Sequence, residues 1–343
     1  MSQALEFTVR EYEPGDETAI LDAFNRIFAE VDPTFRPRSL EHWRWLYRDN
    51  PTGWRIYLCV LPDGKVISQY AGVPLPVRID GEPAHFVQAV DSFADPEYVR
   101  GLRRPGPFVV TGYPFAANYG GPPPERTPVM YGLPVRPAWR IGRKFLGYEL
   151  LRTQNKLSAA PERVDPAALG TSTGVELEEV ARFTEEVAAL GERLAGTAPV
   201  VTDRTRAHLD WRFADHPERT YAVALARSGS TGGALRGYAV FRRGDFDGEQ
   251  GEGLICDWAV APGDGAAGAA LLAWLVERAR AEGCPRLTTF LPDRAAAWLD
   301  LQRAGLRVAP TRYFLVGRPY EPRYTMRWLR ASWSYTPADT DLF

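Results

Sequence analysis

The sequence repeats itself at long range, and this limits the folds open to it more than any other feature. Residues 43–51 read WRWLYRDNP and residues 211–217 read WRFADHP. Trp43 and Trp211 are 168 positions apart, while Asp49 and Asp215, and Pro51 and Pro217, are both 166 apart. Further on, VDSFADPE faces CDWAVAPG, with Asp91 to Asp257 and Pro96 to Pro262 again at 166. The offset then shortens by eight, to 158, for Pro134 against Pro292 and Gly147 against Gly305. A constant offset broken by one change of length marks an internal duplication. The first copy therefore carries eight extra residues between Pro96 and Pro134.

A chain of 343 residues accommodates two units of about 170, each large enough to bury its own core. Apolar residues make up 45% and charged residues 24%, ordinary for a globular protein. The net charge is -2 and the only lysines are Lys65, Lys144 and Lys156. That argues against a broad basic surface for nucleic acid and leaves room for local arginine clusters that grip anions. Cys59, Cys256 and Cys284 are far apart, form no C-x-x-C pair and are joined by only four histidines. We expect buried thiols and no metal site. The N-terminal stretch lacks an apolar core of signal-peptide length, and no run approaches the ~18 apolar residues of a membrane span. The expectation is a cytoplasmic protein without a membrane partner.

Both copies read in the same order. In the first, LEFTVREY alternates as a strand, and the next segment puts Ile20, Leu21, Phe24, Ile27 and Phe28 on one helical face. Ser39 is a plausible N-cap for a second helix, which carries the opening motif. Three strands follow, punctuated by PDG and DGE turns, then an Arg/Gly/Pro loop, a helix from about Gly106, the strand PVMYGLP, the amphipathic RPAWRIGRKFLGY and the strand YELLRTQNKL. Residues 158–174 form the best linker, rich in Ala, Pro, Gly, Ser and Thr. Expected boundaries are 1–157 for the first unit, 175–318 for the second and 319–343 for an aromatic-rich tail that packs on them. The aromatics of the duplicated motif are expected to pin a short helix to its sheet. Arg44 and Arg212 would otherwise line a substrate opening.

A strand-helix-helix start, a meander ending in DSFADPEY, an Arg/Gly loop feeding a helix, and a helix closing on LGY resemble the GNAT superfamily of N-acetyltransferases. The resemblance covers nearly the whole chain as two tandem copies. It implies two α/β (α+β) units, each a mixed, mostly antiparallel sheet flanked by helices. It also implies acyl transfer from acetyl-CoA, or another acyl-CoA, to an amine of a small molecule or peptide, by a monomer or homodimer. A GNAT-like binding protein that has lost turnover is the alternative.

In that family a [QR]-x-x-G-x-[GA] loop at the start of the third helix holds the coenzyme A pyrophosphate. A helix N-terminus suits a diphosphate through its unpaired N–H groups and partial positive charge. In YVRGLRRPGPF, Arg103 and Gly106 match two of the three positions and Phe108 replaces the small residue; Arg100, Gly101 and Arg104 complete an anion-binding loop. The second copy, PGDGAAGAALL, keeps Gly268 and Ala270 but has Asp264 and no nearby arginine. The first copy is therefore the expected cofactor holder. The segment TGYPFAANYGGPPPERTP beside it, which contains the eight extra residues, is a candidate acceptor-pocket wall.

The resemblance further implies a fourth strand that splays from the fifth and pairs its backbone with the pantetheine arm, here at Ser92, Phe93 and Ala94. The matching carboxylate for a base is Asp91, although Asp257 holds the same place in the second copy, which favours a structural hydrogen bond. The family's frequent acid, a tyrosine four residues before the closing glycine, is replaced by Arg143 and, in the second copy, Leu301. Tyr131 on the fifth strand is the candidate substitute, with Tyr113 and Tyr119 behind it; His42 and His85 are expected to be structural histidines.

Overall fold

The computed structural model describes residues 6–31, 35–98, 105–229 and 233–343. The chain divides into two compact units, the first made of Met1–Leu75, Ala84–Leu151 and Leu315–Met326, the second of Pro76–Pro83, Arg152–Phe314 and Arg327–Phe343.

From its start the chain forms β1 (Thr8–Glu11), α1 (Glu17–Val31), α2 (Leu40–Trp43), β2 (Arg55–Val60), β3 (Val66–Ile79), β4 (Glu82–Ala94), α3 (Pro107–Tyr119), β5 (Val129–Gly132), α4 (Arg136–Phe145) and β6 (Glu149–Ala159). There follow β7 (Val175–Val180), α5 (Val187–Ala195), β8 (Val200–Thr202), α6 (Arg206–Leu209), β9 (Ala222–Ser228), β10 (Leu235–Phe246), β11 (Glu249–Val260), α7 (Gly265–Ala281), β12 (Leu287–Thr289), α8 (Ala296–Arg303), β13 (Arg307–Pro319), α9 (Met326–Ser332) and β14 (Trp333–Ser334).

In the first unit the strands lie in the order β1-β2-β3-β4-β5, and the end of β13 completes the sheet. The β1–β2 and β2–β3 ladders are antiparallel, β4–β5 is parallel, and residues 316–319 of β13 run antiparallel to β5, with Val316 opposite Gly132. The expected apolar face of α1 is present: Ile20, Leu21, Phe24 and Ile27 are buried.

In the second unit the order is β6-β12-β11-β10-β9-β7. Ala159 of β6 faces Leu287 of β12, and residues 307–314 of β13 flank β6, where Thr311 Oγ1 donates to the Gln154 carbonyl at 2.6 Å. The strand that closes each copy in sequence thus lends most or part of its length to the other unit's sheet. The expected reading placed each with its own copy. Sequence order cannot reveal such an exchange, because both strands present the same alternating apolar pattern and either sheet edge can satisfy their backbone groups.

α7 crosses the second sheet with Leu271, Leu272, Leu275 and Ala279 buried against Leu157, Ile255, Leu287 and Leu301. Each such leucine contributes about 1.5–3 kcal/mol of apolar burial. The expected linker, residues 158–174, is built into this core: two 3₁₀ turns, Pro161–Arg163 and Pro166–Leu169, follow β6, and Val164 is buried in the same cluster. The aromatic tail is buried too, with Trp333, Tyr335 and Phe343 each under 4% exposed. Its β14 runs parallel to β8, a strand the hydrophobic pattern did not signal.

The duplicated motif has a single register. Ser39 caps α2 by accepting from the His42 N–H at 3.0 Å, and Thr205, 166 residues later, caps α6 by accepting from His208 at 3.2 Å. Each helix passes into a π-helical turn, Arg44–Arg48 and Asp210–Ala214. Trp211 therefore corresponds to Trp45 rather than to Trp43. The two arginines of the motif part company as a result: Arg44 is exposed, whereas Arg212 is buried and donates to the carbonyls of Ala338, Thr340 and Phe343.

His208 makes the duplicated helix pH-sensitive. Burial, reinforced by Arg204 and Arg212, lowers its pKa from 6.5 to about 3, so it stays neutral in the folded chain. Between these values the unfolded chain takes up a proton that the native state refuses, so stability present above pH 6.5 drains away as pH falls towards 3. At pH 5 the loss from this group is about 2 kcal/mol. We expect His208→Gln to lose that much less stability than the parent between pH 7 and pH 5 in urea melts; equal losses would remove the assignment.

Candidate active site

The first unit opens at the carboxyl ends of β4 and β5. Their parallel ladder consists of Val87 opposite Met130 and Gln88 opposite Tyr131, yet β4 continues to Ala94. Beyond Gln88 the two strands part. Two parallel strands followed by helices place the starts of α3 and α4 at this same end, the usual location of a ligand crevice in such sheets.

Side chains hold β4 where it leaves β5. Asp91 adopts a left-handed backbone, with φ of 48°, uncommon for a residue with a side chain. Around it, side chains bond to backbone groups of the neighbouring strand and of β4 itself. Gln69 Nε2 donates to the Asp91 carbonyl at 2.9 Å, the Ala71 N–H donates to Ser92 Oγ at 3.0 Å, and Ser68 Oγ donates to the Phe93 carbonyl at 2.8 Å. Arg38 pairs with the Asp91 carboxylate, which also accepts from the Tyr47 hydroxyl at 3.2 Å. Phe93 is buried against Phe24, and Ala94 is half-buried. Tyr131, at the last ladder pair, is 1% exposed.

α3 begins at Gly106, which caps it without a side-chain hydrogen bond. A Cβ built there would meet nothing within 4 Å among the described residues. Pro107 has no N–H to satisfy, and the Val109 and Val110 N–H groups turn back to the Gly106 carbonyl. Arg100, Gly101, Arg103 and Arg104 lie outside the described residues. The first half of the candidate pocket wall is the C-terminal part of α3 rather than a loop. There Tyr119 donates to Glu11 at 2.7 Å, and Tyr113 is exposed.

The second unit has the same frame, closed at both points. Its parallel ladder runs from Gly253–Leu287 to Leu254–Thr288, and β11 then continues past Asp257. Here the carboxylate is fully buried. Asp257 accepts from Arg204, from the Tyr238 hydroxyl at 2.8 Å and from the Thr336 hydroxyl of the tail at 2.7 Å. Arg204 stands 166 residues after Arg38, so the Arg–Asp pair is itself duplicated. At the start of α7 the Asp264 carboxylate accepts from the Ala267 N–H at 3.0 Å and from Arg236 Nε at 2.7 Å. Burial opposes its ionisation, but Arg236 and the Ala267 N–H prevail and hold the carboxyl below its ordinary pKa. Leu169 lies over this end, and a Cβ at Gly265 would strike its carbonyl oxygen.

One cluster lay beyond sequence reasoning. The Tyr70 and Tyr148 hydroxyls share a hydrogen bond, and Tyr70 also donates to Met130 Sδ at 3.3 Å. Burial raises both phenol pKa values and pushes Tyr320 up to about 12. All three are therefore neutral near pH 7 and act there only through their hydroxyl groups. Tyr148 ends LGY and packs on Gly142 of α4. Tyr320 belongs to the exchanged end of the chain, so no local signal could group it with the others.

Comparison with solved structures matches this architecture. A conserved protein from Enterococcus faecalis V583, described as a probable N-acyltransferase, is 16% identical with a TM-score of 0.65 over 92% of this chain and 73% of its own. A tandem GNAT protein from the clavulanic acid biosynthesis pathway is 17% identical with a TM-score of 0.55, over 92% and 99%. The fold is that of the GNAT superfamily, in tandem. Saccharomyces cerevisiae N-myristoyltransferase with bound myristoyl-CoA is similar as well, at 10% identity and a TM-score of 0.55 over 100% and 90%. No protein-family model matches the sequence, and no curated protein sequence is significantly similar to it. Among the described residues, no helix of this GNAT fold is long and apolar enough to cross a membrane, and no three His, Cys, Asp or Glu side chains are grouped to hold a metal.

Proposed function

We propose that the chain is an acyl-CoA-dependent N-acyltransferase that acetylates an amine of a small molecule or peptide, with its first unit holding the cofactor. The observation that carries this reading is the contrast between two equivalent helix starts. Gly106 leaves the N-terminus of α3 open among the described residues, whereas Asp264 and Leu169 close that of α7. An open, uncapped N-terminus fits a diphosphate, and a capping carboxylate repels one.

In this reading Arg100, Arg103 and Arg104 grip the pyrophosphate beside Gly101 and Gly106, and the backbone of Ser92, Phe93 and Ala94 lines the pantetheine arm. Bound acetyl-CoA supplies an activated thioester to a neutral amine. Asp91, already paired with Arg38 and Tyr47, fixes the bend of β4 and so positions that backbone. Tyr131 stands where the strands part and is the candidate proton donor to the departing thiolate.

Release of free thiol from acetyl-CoA, followed across a panel of amines, tests the proposal. We expect amine-dependent release, reduced about tenfold or more in Tyr131→Phe with acetyl-CoA affinity retained. Binding of acetyl-CoA without release for any amine would favour a ligand-binding protein without turnover.

A further inference from the structure

Helix α4 carries a row of arginines that pair with nothing else in the fold. Arg136, Arg140 and Arg143 are spaced i, i+4, i+7, which places them on one stripe of the helix, and all three are exposed. None of them has a hydrogen bond or ion pair among the described residues. By contrast, Arg26 of α1, Arg206 of α6, Arg278 of α7 and Arg303 of α8 each have a carboxylate partner.

Local electrostatics oppose this stripe. Like charges at i, i+4 repel one another, and a cation in the first turn meets the positive end of the helix dipole. Arg136 stands in that turn without an acidic residue, and the N-cap, Val135, makes no side-chain hydrogen bond. The duplicated frame does not call for cations at these places either. In the second copy, 158 positions later, Trp298 and Leu301 replace Arg140 and Arg143, and both are buried.

The stripe begins at the candidate active site. β5 ends at Gly132, where it has parted from β4, and Arg136 follows four residues later. From there to Arg143 the helix rises about 10 Å. Val135, 70% exposed, adds an apolar contact at the same end.

We propose that the stripe docks an acidic peptide segment, in which carboxylates on alternate residues of an extended chain face the three guanidinium groups. Such carboxylates recur about every 6.7 Å, and each arginine fork can hold two carboxylate oxygens at once. A short acidic peptide fits better than a nucleic acid. The chain has a net charge of -2 and only three lysines, so nothing beyond the stripe favours a long polyanion, and the exposed Val135 suits an apolar neighbour in a peptide. The proposal concerns docking and stands whether or not the first unit transfers an acyl group.

Fluorescence anisotropy of the full chain at low salt tests it with three labelled probes: a peptide of alternating Glu and Gly, the same peptide with Gln for Glu, and a single-stranded oligonucleotide of equal charge. We expect saturable binding of the Glu peptide, little binding of the Gln peptide, and a loss of about tenfold or more in Arg136→Gln/Arg140→Gln/Arg143→Gln. Because the stripe works against the electrostatics of its own helix, that variant should melt no lower than the parent. Equal binding of the Glu and Gln peptides, or unchanged affinity in the triple variant, overturns the proposal. Tighter binding of the oligonucleotide overturns it in favour of a nucleic acid, and a lower melting temperature in the triple variant assigns the arginines to the fold instead.

Discussion

Arg204→Met is expected to destabilise the protein by about 3–5 kcal/mol, because it strands two buried carboxylates. Arg204 is 6% exposed and lies between Asp257 and Asp339, with Thr336 hydrogen-bonded to it as well. Burial disfavours its charge, yet the two aspartates outweigh that cost and raise its pKa well above the ordinary arginine value. The duplicated partner provides the control. Arg38 pairs with Asp91 where both side chains retain solvent, 23% and 12% exposed. Arg38→Met is therefore expected to cost about 1 kcal/mol, as for other partly solvated pairs. Urea denaturation of both variants measures the difference. Equal losses would show that burial does not distinguish the two copies of this pair.

Arg103→Ala/Arg104→Ala is expected to weaken CoA binding by about 2 kcal/mol or more, roughly 30-fold, since each charge-assisted contact to a phosphate contributes on that scale. Asp264→Ala should leave CoA affinity unchanged while lowering stability by about 1 kcal/mol, because it removes a helix cap. Calorimetry with CoA and urea melts on the same proteins separate the two effects. Undiminished affinity in the double arginine variant would sink the assignment of the cofactor to the first copy. A rise in affinity in Asp264→Ala would move it to the second.

The candidate site was legible where chemistry is carried by neighbours in sequence. The Asp264 contrast could be read from PGDGAAG alone, because a carboxylate just before a helix caps it in almost any context. The splay of β4 from β5 was legible only through the resemblance, since nothing in DSFADPEY announces where a ladder ends. The partner of Asp91 was not legible: Arg38 is 53 residues away, and only packing brings it there. Trp43 and Trp45 both fit the repeat in sequence, and only the Ser39 and Thr205 caps choose between them.

By itself the sequence determined a duplicated α/β unit, its order of elements, its two helix starts of opposite character and the helical face of α1. These follow from local rules: hydrophobic period, caps and turns depend on residues within a few positions of one another. Tertiary structure alone decided that the closing strands are exchanged and that the supposed linker is core. It also decided that the tail completes the Arg204 network and that Tyr320 stands in the first unit. Backbone hydrogen bonding is the same at every strand edge, so a strand's partner is chosen by the shape and polarity of the surface it meets. That surface exists only in the folded sheet.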